Sequence, residues 1–204
     1  ADWIRTTLSA ESWGLLPALR AGPAAAAALG VLLLDATYYL WHRANHRLPL
    51  LWRFHRVHHA DPDLDVTTAL RFHAGEVLFS ILLRLAQVLL LGVPVAAFLV
   101  YGAAFQAAVL FHHANLRLPA RFDRALSWLI VTPRLHGVHH SQERAETDSN
   151  FAVLTSAWDR LGGTLRRAAD DRAVRIGLAD FPADPDNRPL HTLALPLRRS
   201  VRAE

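Results

Sequence analysis

The chain has 204 residues, enough for one domain with a sizeable core, and no Cys, which excludes disulfides, thiolate metal sites and cysteine nucleophiles. The 22 basic residues are all Arg, and against 18 acidic ones they leave a formal charge of only +4. They flank apolar stretches instead of forming a separate basic domain, which argues against a nucleic-acid partner. Met is absent, including at position 1, the expectation being a processed chain or an excerpt that lacks an N-terminal piece. Twelve His is the unusual count.

Taken in chain order, Leu8–Arg20 is too charged to span a bilayer and is expected at the membrane interface. From Gly22 to His42 the only charged residue is Asp35, and this stretch predicts a first membrane helix over 22–41. A second uncharged run, Leu85 to Leu116, extends back to Val77 across Arg84 and is too long for one helix. Gly92-Val93-Pro94 breaks it, because Pro lacks an N–H and Gly favours turns. A hairpin is therefore expected, with arms 76–91 and 93–113. The first arm would measure about 24 Å at ~1.5 Å per residue, short of a hydrocarbon core of about 30 Å. Neither arm reads as having a polar face, which favours a membrane hairpin over a buried soluble pair.

Arg43, Arg47, Arg53, Arg56 and Arg71 follow the first span; Arg117, Arg121, Arg124 and Arg134 follow the hairpin, whose turn is uncharged. By the positive-inside rule, segments 42–75 and 113–165 share the cytoplasmic face of a bacterial-type inner membrane. Residues 166–204 are expected to form a soluble tail. The whole, 1–204, is expected to be one all-α integral membrane domain with a cytoplasmic helical cap.

Nearly all the His residues fall in those two segments. His42 and His46 form H-x3-H; His55, His58 and His59 form H-x2-H-H in "WRFHRVHHA"; His136, His139 and His140 repeat that pattern in "PRLHGVHHS". Positions i, i+3 and i+4 share a helix face, so each box is expected to aim its imidazoles at one point. His112 and His113 add a fourth element at the end of the hairpin. Packing does not call for crowded imidazoles, whereas neutral imidazole is the commonest metal ligand. Eight or nine are too many for one ion and suit two. Asp35 lies on the same helical line as His42 and His46, within about 20°. A carboxylate inside a span is a functional candidate, expected to orient a ligating imidazole or, alternatively, to pair with an Arg such as Arg84.

The order, spacing and flanks of these boxes, with "HHANLRLP" and "VTPRLHGVHHSQERAETDSNFAVLTSAWDRLGGT", resemble the fatty acid hydroxylase/sterol desaturase superfamily over about residues 30–165. The resemblance implies a mostly helical membrane oxidoreductase. Its histidine-bound di-iron centre would use O2 and external electrons to hydroxylate or desaturate a fatty acyl, sterol or related lipid. Carried over by position, it implies the metal ligands His42, His46, His55, His58, His59, His136, His139 and His140, and His113 two residues before Asn115; His112 would point elsewhere. His73 and Glu76 match a recurrent element in which Ala74 replaces the usual Pro, and both, like Asn150, are expected behind the ligands or as structural residues. Trp158 and Asp159 are expected to anchor the cap.

Imidazole suits Fe, Zn, Cu and Ni alike, so iron follows from the resemblance and not from spacing. No G-x-G-x-x-G motif and no Cys for an iron–sulfur cluster is present, so electrons are expected from a separate cytochrome- or ferredoxin-type donor with its reductase. Two rival classes stand beside the oxygenase. One is a His-liganded zinc hydrolase of the membrane, although no His box contains a general-base Glu. The other is a non-catalytic membrane metal-binding protein.

Overall fold

The structure, a computed structural model, describes residues 13–169, 173–181 and 193–198. Among these the chain is helical, with isolated bridges and no strand. Three long helices organise it: α2 (Pro23–Arg47), α4 (Ala74–Leu91) and α5 (Val95–His113). Each is long and apolar enough to cross a membrane. Their outward side chains, such as Leu78, Leu82, Leu89, Leu90, Leu99 and Val100, are exposed, as a lipid-facing surface requires.

The helix ends follow from local chemistry. Pro23 opens α2 at a position whose N–H has no intrahelical partner anyway. Its 25 residues run about 37 Å at ~1.5 Å per residue, so α2 continues past the expected end at residue 41 and carries His42 and His46 on its last turns. His73 caps α4, its Nδ1 accepting from the Gly75 N–H at 2.9 Å. That start lengthens the first hairpin arm to 18 residues, about 27 Å, and removes most of its expected shortfall. Gly92 ends α4 in the left-handed region (φ 64°), and Pro94 precedes α5, so the turn forms where Gly and Pro predict it.

The short helix α1 (Leu15–Ala18) packs against this turn, where a Cβ on Gly14 would lie 2.5 Å from the Gly92 nitrogen. Of the segment expected at the interface, residues 13–20 are described, and they sit at the turn end; the rest lies outside the described residues. Leu16, Leu34, Val93, Ala97 and Tyr101 form the core between the spans.

The opposite end carries a cap: α3 (Pro49–His59), α6 (Ala120–Leu126), α7 (Pro133–His139), α8 (Arg144–Thr147) and α9 (Ala157–Leu161). α2 and α5 run toward it and α4 runs away from it. The ends of α2 and α5 and the start of α4 therefore meet beneath the cap. Arg56, buried in α3, holds the segment around Leu195–Leu197 by donating to the carbonyls of Leu195 and Arg198, the latter at 2.7 Å.

Candidate metal centre

The nine histidines expected as ligands converge in two groups. His42, His46, His55, His59 and His139 form one; His58, His113, His136 and His140 form the other. Within each group the ligand atoms lie within 4.8 Å of one another, and all nine residues are buried. The expectation that each box aims at one point is corrected here. It holds for His42 and His46, whereas both H-x2-H-H boxes divide. His55 and His59 enter the five-histidine group and His58 the other; His136 and His140 enter the four-histidine group and His139 the other. Helix geometry explains the division. Positions i and i+4 differ by about 40° around the axis, while i+3 and i+4 differ by about 100°. A box thus gives its outer pair to one centre and its middle imidazole to the neighbouring one.

Backbone and carboxylate acceptors set the ring orientations. Carbonyl oxygens only accept, so the His42 Nδ1–H donates to Phe151 O (2.7 Å), His139 Nδ1–H to Ser149 O (2.7 Å) and His113 Nδ1–H to Val109 O (2.8 Å). The His55 Nδ1–H donates to Glu76 Oε1 at 2.6 Å, and His46 Nδ1 lies 3.5 Å from Asp148 Oδ1. Each of these contacts leaves an Nε2 lone pair facing inward. His42 Nε2 and His55 Nε2 stand 3.2 Å apart, and His113 Nε2 lies 3.1 Å from His58 Nε2 and 3.0 Å from His136 Nε2. His42 and His55 both carry their proton on Nδ1, so two bare lone pairs face each other there and repel unless a cation lies between them; in the other group the inward Nε2 of His113 meets those of His58 and His136 in the same way once they ligate. The donor set therefore fits a metal in each group, and these residues can hold two ions.

Burial pushes the imidazoles of His58, His59, His136, His139 and His140 well below their usual value, and the neighbouring rings push them further the same way. These five histidines are therefore neutral at pH 7, the form that ligates metal.

The other expected site residues divide. Asp35 reaches no imidazole among the described hydrogen bonds. It accepts from Trp158 Nε1 at 2.7 Å and from the backbone N–H groups of Thr155 (3.3 Å) and Leu154 (3.4 Å). Its helical phase is as read from the sequence, but its oxygens are taken by the cap, so it staples α2 to the loop before α9. Nor does it form an ion pair with Arg84 among the described residues. His73 is likewise a helix cap whose Nε2 donates to Leu193 O at 3.3 Å; the carboxylate behind a ligand is Glu76.

Asn150 acts through the backbone. It occupies a positive φ of 51°, its amide donates to Leu135 O and Arg166 O, and its Oδ1 accepts from the Arg166 N–H. It thereby fixes the two flanking carbonyls, Ser149 O and Phe151 O, that orient His139 and His42. Asp159 supports the same loop by accepting from the N–H groups of Phe151 (2.8 Å) and Ala152 (3.0 Å), as expected of a cap anchor. Asp148 and the two carbonyls carry no sequence signal of their own and were not foreseen. His112 belongs to neither group, yet its ring centroid is 4.0 Å from that of His136.

A cavity of about 510 Å³ opens beside the centre. His42, His55, His58, His113 and His136 form its floor, and residues of α4 and α5, including Val77, Ile81, Leu85, Phe98 and Phe105, form apolar walls. It thus joins the imidazoles to the space between the spans. Three residues lining it, Glu76, Ser80 and Arg84, disclose a polar line on α4 that hydropathy hid, which Gln87 continues at the next interval of three.

The family model for fatty acid hydroxylases matches residues 27–164, the stretch that carries the spans and both histidine groups. The chain belongs to the fatty acid hydroxylase family. Its relatives include the ornithine lipid hydroxylase OlsE of Rhizobium tropici, 34% identical over 176 residues, which cover 86% of this chain and 51% of that protein. Human alkylglycerol monooxygenase is 30% identical over 147 residues, 71% of this chain and 31% of that one. Human cholesterol 25-hydroxylase is 30% identical over 148 residues, 68% and 50% respectively. The chain thus spans about half or less of the length of these relatives. No solved structure matches.

Proposed function

We propose that this chain is a membrane-bound di-iron oxygenase that uses O2 and externally supplied electrons to hydroxylate, or desaturate, a C–H bond of a fatty acyl, sterol or related lipid. One observation carries the reading: two groups of buried imidazoles converge, and His42, His55, His58, His113 and His136 among them form the polar floor of an apolar cavity bounded by lipid-exposed helices. The names of the relatives, each a hydroxylase or monooxygenase of a lipid, point the same way.

His42, His46, His55, His59 and His139 would hold one iron and His58, His113, His136 and His140 the other. When bound, the two ions supply O2 activation and C–H oxidation. The chain supplies the rest. Phe151 O, Ser149 O, Val109 O and Glu76 fix four imidazoles with Nε2 inward, and such partners raise ligand basicity. Glu76 meets His55 on the side of the ring away from Nε2, a position suited to orienting the ring. The apolar walls take up the hydrocarbon, leave its C–H near the imidazoles and exclude water, which protects a reactive centre from side reactions.

We place the centre on the cytoplasmic face of a bacterial-type inner membrane, from the positive-inside pattern. The Arg-rich surface there suits an acidic cytochrome- or ferredoxin-type donor served by a reductase. The whole of 1–204 is assigned to this one domain, with 166–204 as a soluble tail.

The test is to purify the full chain, count its metals, and supply ¹⁸O2 with a reductase system and membrane lipids. About two irons per chain are expected, with one ¹⁸O in the lipid if it is hydroxylated, or a new C=C bond with both ¹⁸O atoms in water if it is desaturated. A zinc-loaded protein that cleaves a lipid without O2 would overturn the proposal.

A further inference from the structure

Arg84 lies near the middle of α4, at membrane depth, and lines the cavity. A cation there is costly and marks a functional site by default. Its surroundings are specific. The ring centroids of Tyr38, Tyr101 and Phe105 each lie 5.0 Å from the guanidinium carbon. Gln87 Oε1 accepts one of its N–H groups at 3.0 Å, and Gln87 is itself held by donating to Thr37 Oγ1 at 2.6 Å. These contacts orient the guanidinium without cancelling its charge. Among the described residues no carboxylate lies within ion-pair distance of it. Asp35, which feels the Arg84 charge without pairing with it, is hydrogen-bonded by Trp158, and Glu76 by His55. A guanidinium has five N–H donors in a rigid fork suited to carboxylate and phosphate; Gln87 and the Tyr101 hydroxyl engage part of it, and the remaining N–H groups are open to a ligand.

We propose that Arg84 is the specificity-determining residue of the cavity and binds an anionic oxygen group, carboxylate or phosphate, of the lipid substrate. The proposal rests on the reading of the cavity as a lipid site. Eight residues separate Arg84 from Glu76, the partner of His55, which is about 12 Å along α4 at ~1.5 Å per residue. An acidic group held at Arg84 thus sets which C–H faces the imidazoles. The position of oxidation is counted from the acidic end of the chain, not from the methyl end.

The test measures binding, which needs neither metal turnover nor electrons. The full-length protein in a neutral detergent is loaded with a fluorescent fatty acid, which is then displaced by palmitate, methyl palmitate, lysophosphatidate or monoacylglycerol. The acidic lipids are expected to bind at least about ten-fold more tightly than their neutral counterparts, as a charge-assisted contact implies. The tighter of palmitate and lysophosphatidate names the anion. Arg84→Gln is expected to abolish the preference, and Arg84→Lys, a point charge without the fork, to retain part of it. A wild-type protein that prefers neither palmitate over methyl palmitate nor lysophosphatidate over monoacylglycerol overturns the proposal whatever the variants do, and so does an Arg84→Gln protein that keeps the preference. Failure of lipid oxidation with the acid preference intact would count against the proposed function and not against Arg84.

Discussion

The two halves of the histidine centre differ in how firmly the protein holds them. In the five-histidine group, four rings meet an acceptor at Nδ1: Phe151 O, Ser149 O, Glu76 and, at 3.5 Å, Asp148. In the four-histidine group His113 alone does, through Val109 O; Nδ1 of His58, His136 and His140 has no hydrogen bond to a described residue. Three of those four residues, His58, His113 and His136, border the cavity. The difference teaches that one group is built for retention and the other for access. Outer partners fix the imidazole and strengthen it as a ligand, whereas His58, His136 and His140, without an outer hydrogen bond to a described residue, are held less firmly.

The largest effect should come from cutting both halves at once. The double substitution His58→Ala/His139→Ala removes one imidazole from each group and should abolish lipid oxidation and most metal binding, measured by elemental analysis and product formation. Retention of about two ions per chain would refute the assignment of the two groups.

Acid should act next most strongly. Imidazoles of an unfolded chain titrate near ~6.5, and those of His58, His59, His136, His139 and His140 are depressed well below that in the fold by burial. Between the two values the unfolded state binds more protons, so stability falls as pH falls below about 6.5 and is full above it. Thermal unfolding of chelator-treated protein from pH 8 to pH 5 should show a falling midpoint only in the acid half of that range; a flat profile would mean the rings are solvated.

Glu76→Gln separates the two halves. It should cost about 10–100-fold in metal affinity or activity, with the ion of the five-histidine group affected first. In the wild-type protein, graded chelation should instead remove the ion of the four-histidine group first, giving a plateau near one ion per chain. Metal loss in a single step would erase the distinction.

The smallest effect on chemistry is expected at Asp35. Its bonds to Trp158 and two backbone N–H groups join span to cap, and a hydrogen bond to a charged group is worth about 1.5–3 kcal/mol. Asp35→Asn should lower thermal stability by about that amount while activity per bound metal stays within a few-fold of wild type. A larger drop in normalised activity would place Asp35 in the chemistry after all.

Much of this molecule was legible in its order of residues. Helices Pro23–Arg47, Ala74–Leu91 and Val95–His113, the break at Gly92 and the convergence of nine histidines follow from hydropathy, from the chemistry of Gly and Pro, and from spacing along single helices, all of which are local. Missed at the level of sequence was the partition of the histidines: helical phase separates His58 from His55 and His59, but which rings of the other helices join each of them depends on where those helices stand. The division of His55, His58 and His59 shows it: one box serves two centres. Asp35 and Glu76 make the same point. Both are buried carboxylates on membrane helices, and the sequence favoured Asp35 for its phase; yet Trp158, 123 residues further along, takes Asp35, while the approach of α4 to α3 delivers Glu76 to His55. A hydrogen bond needs an acceptor within about 3 Å, and only the tertiary packing decides which of two equally suitable side chains lies that close.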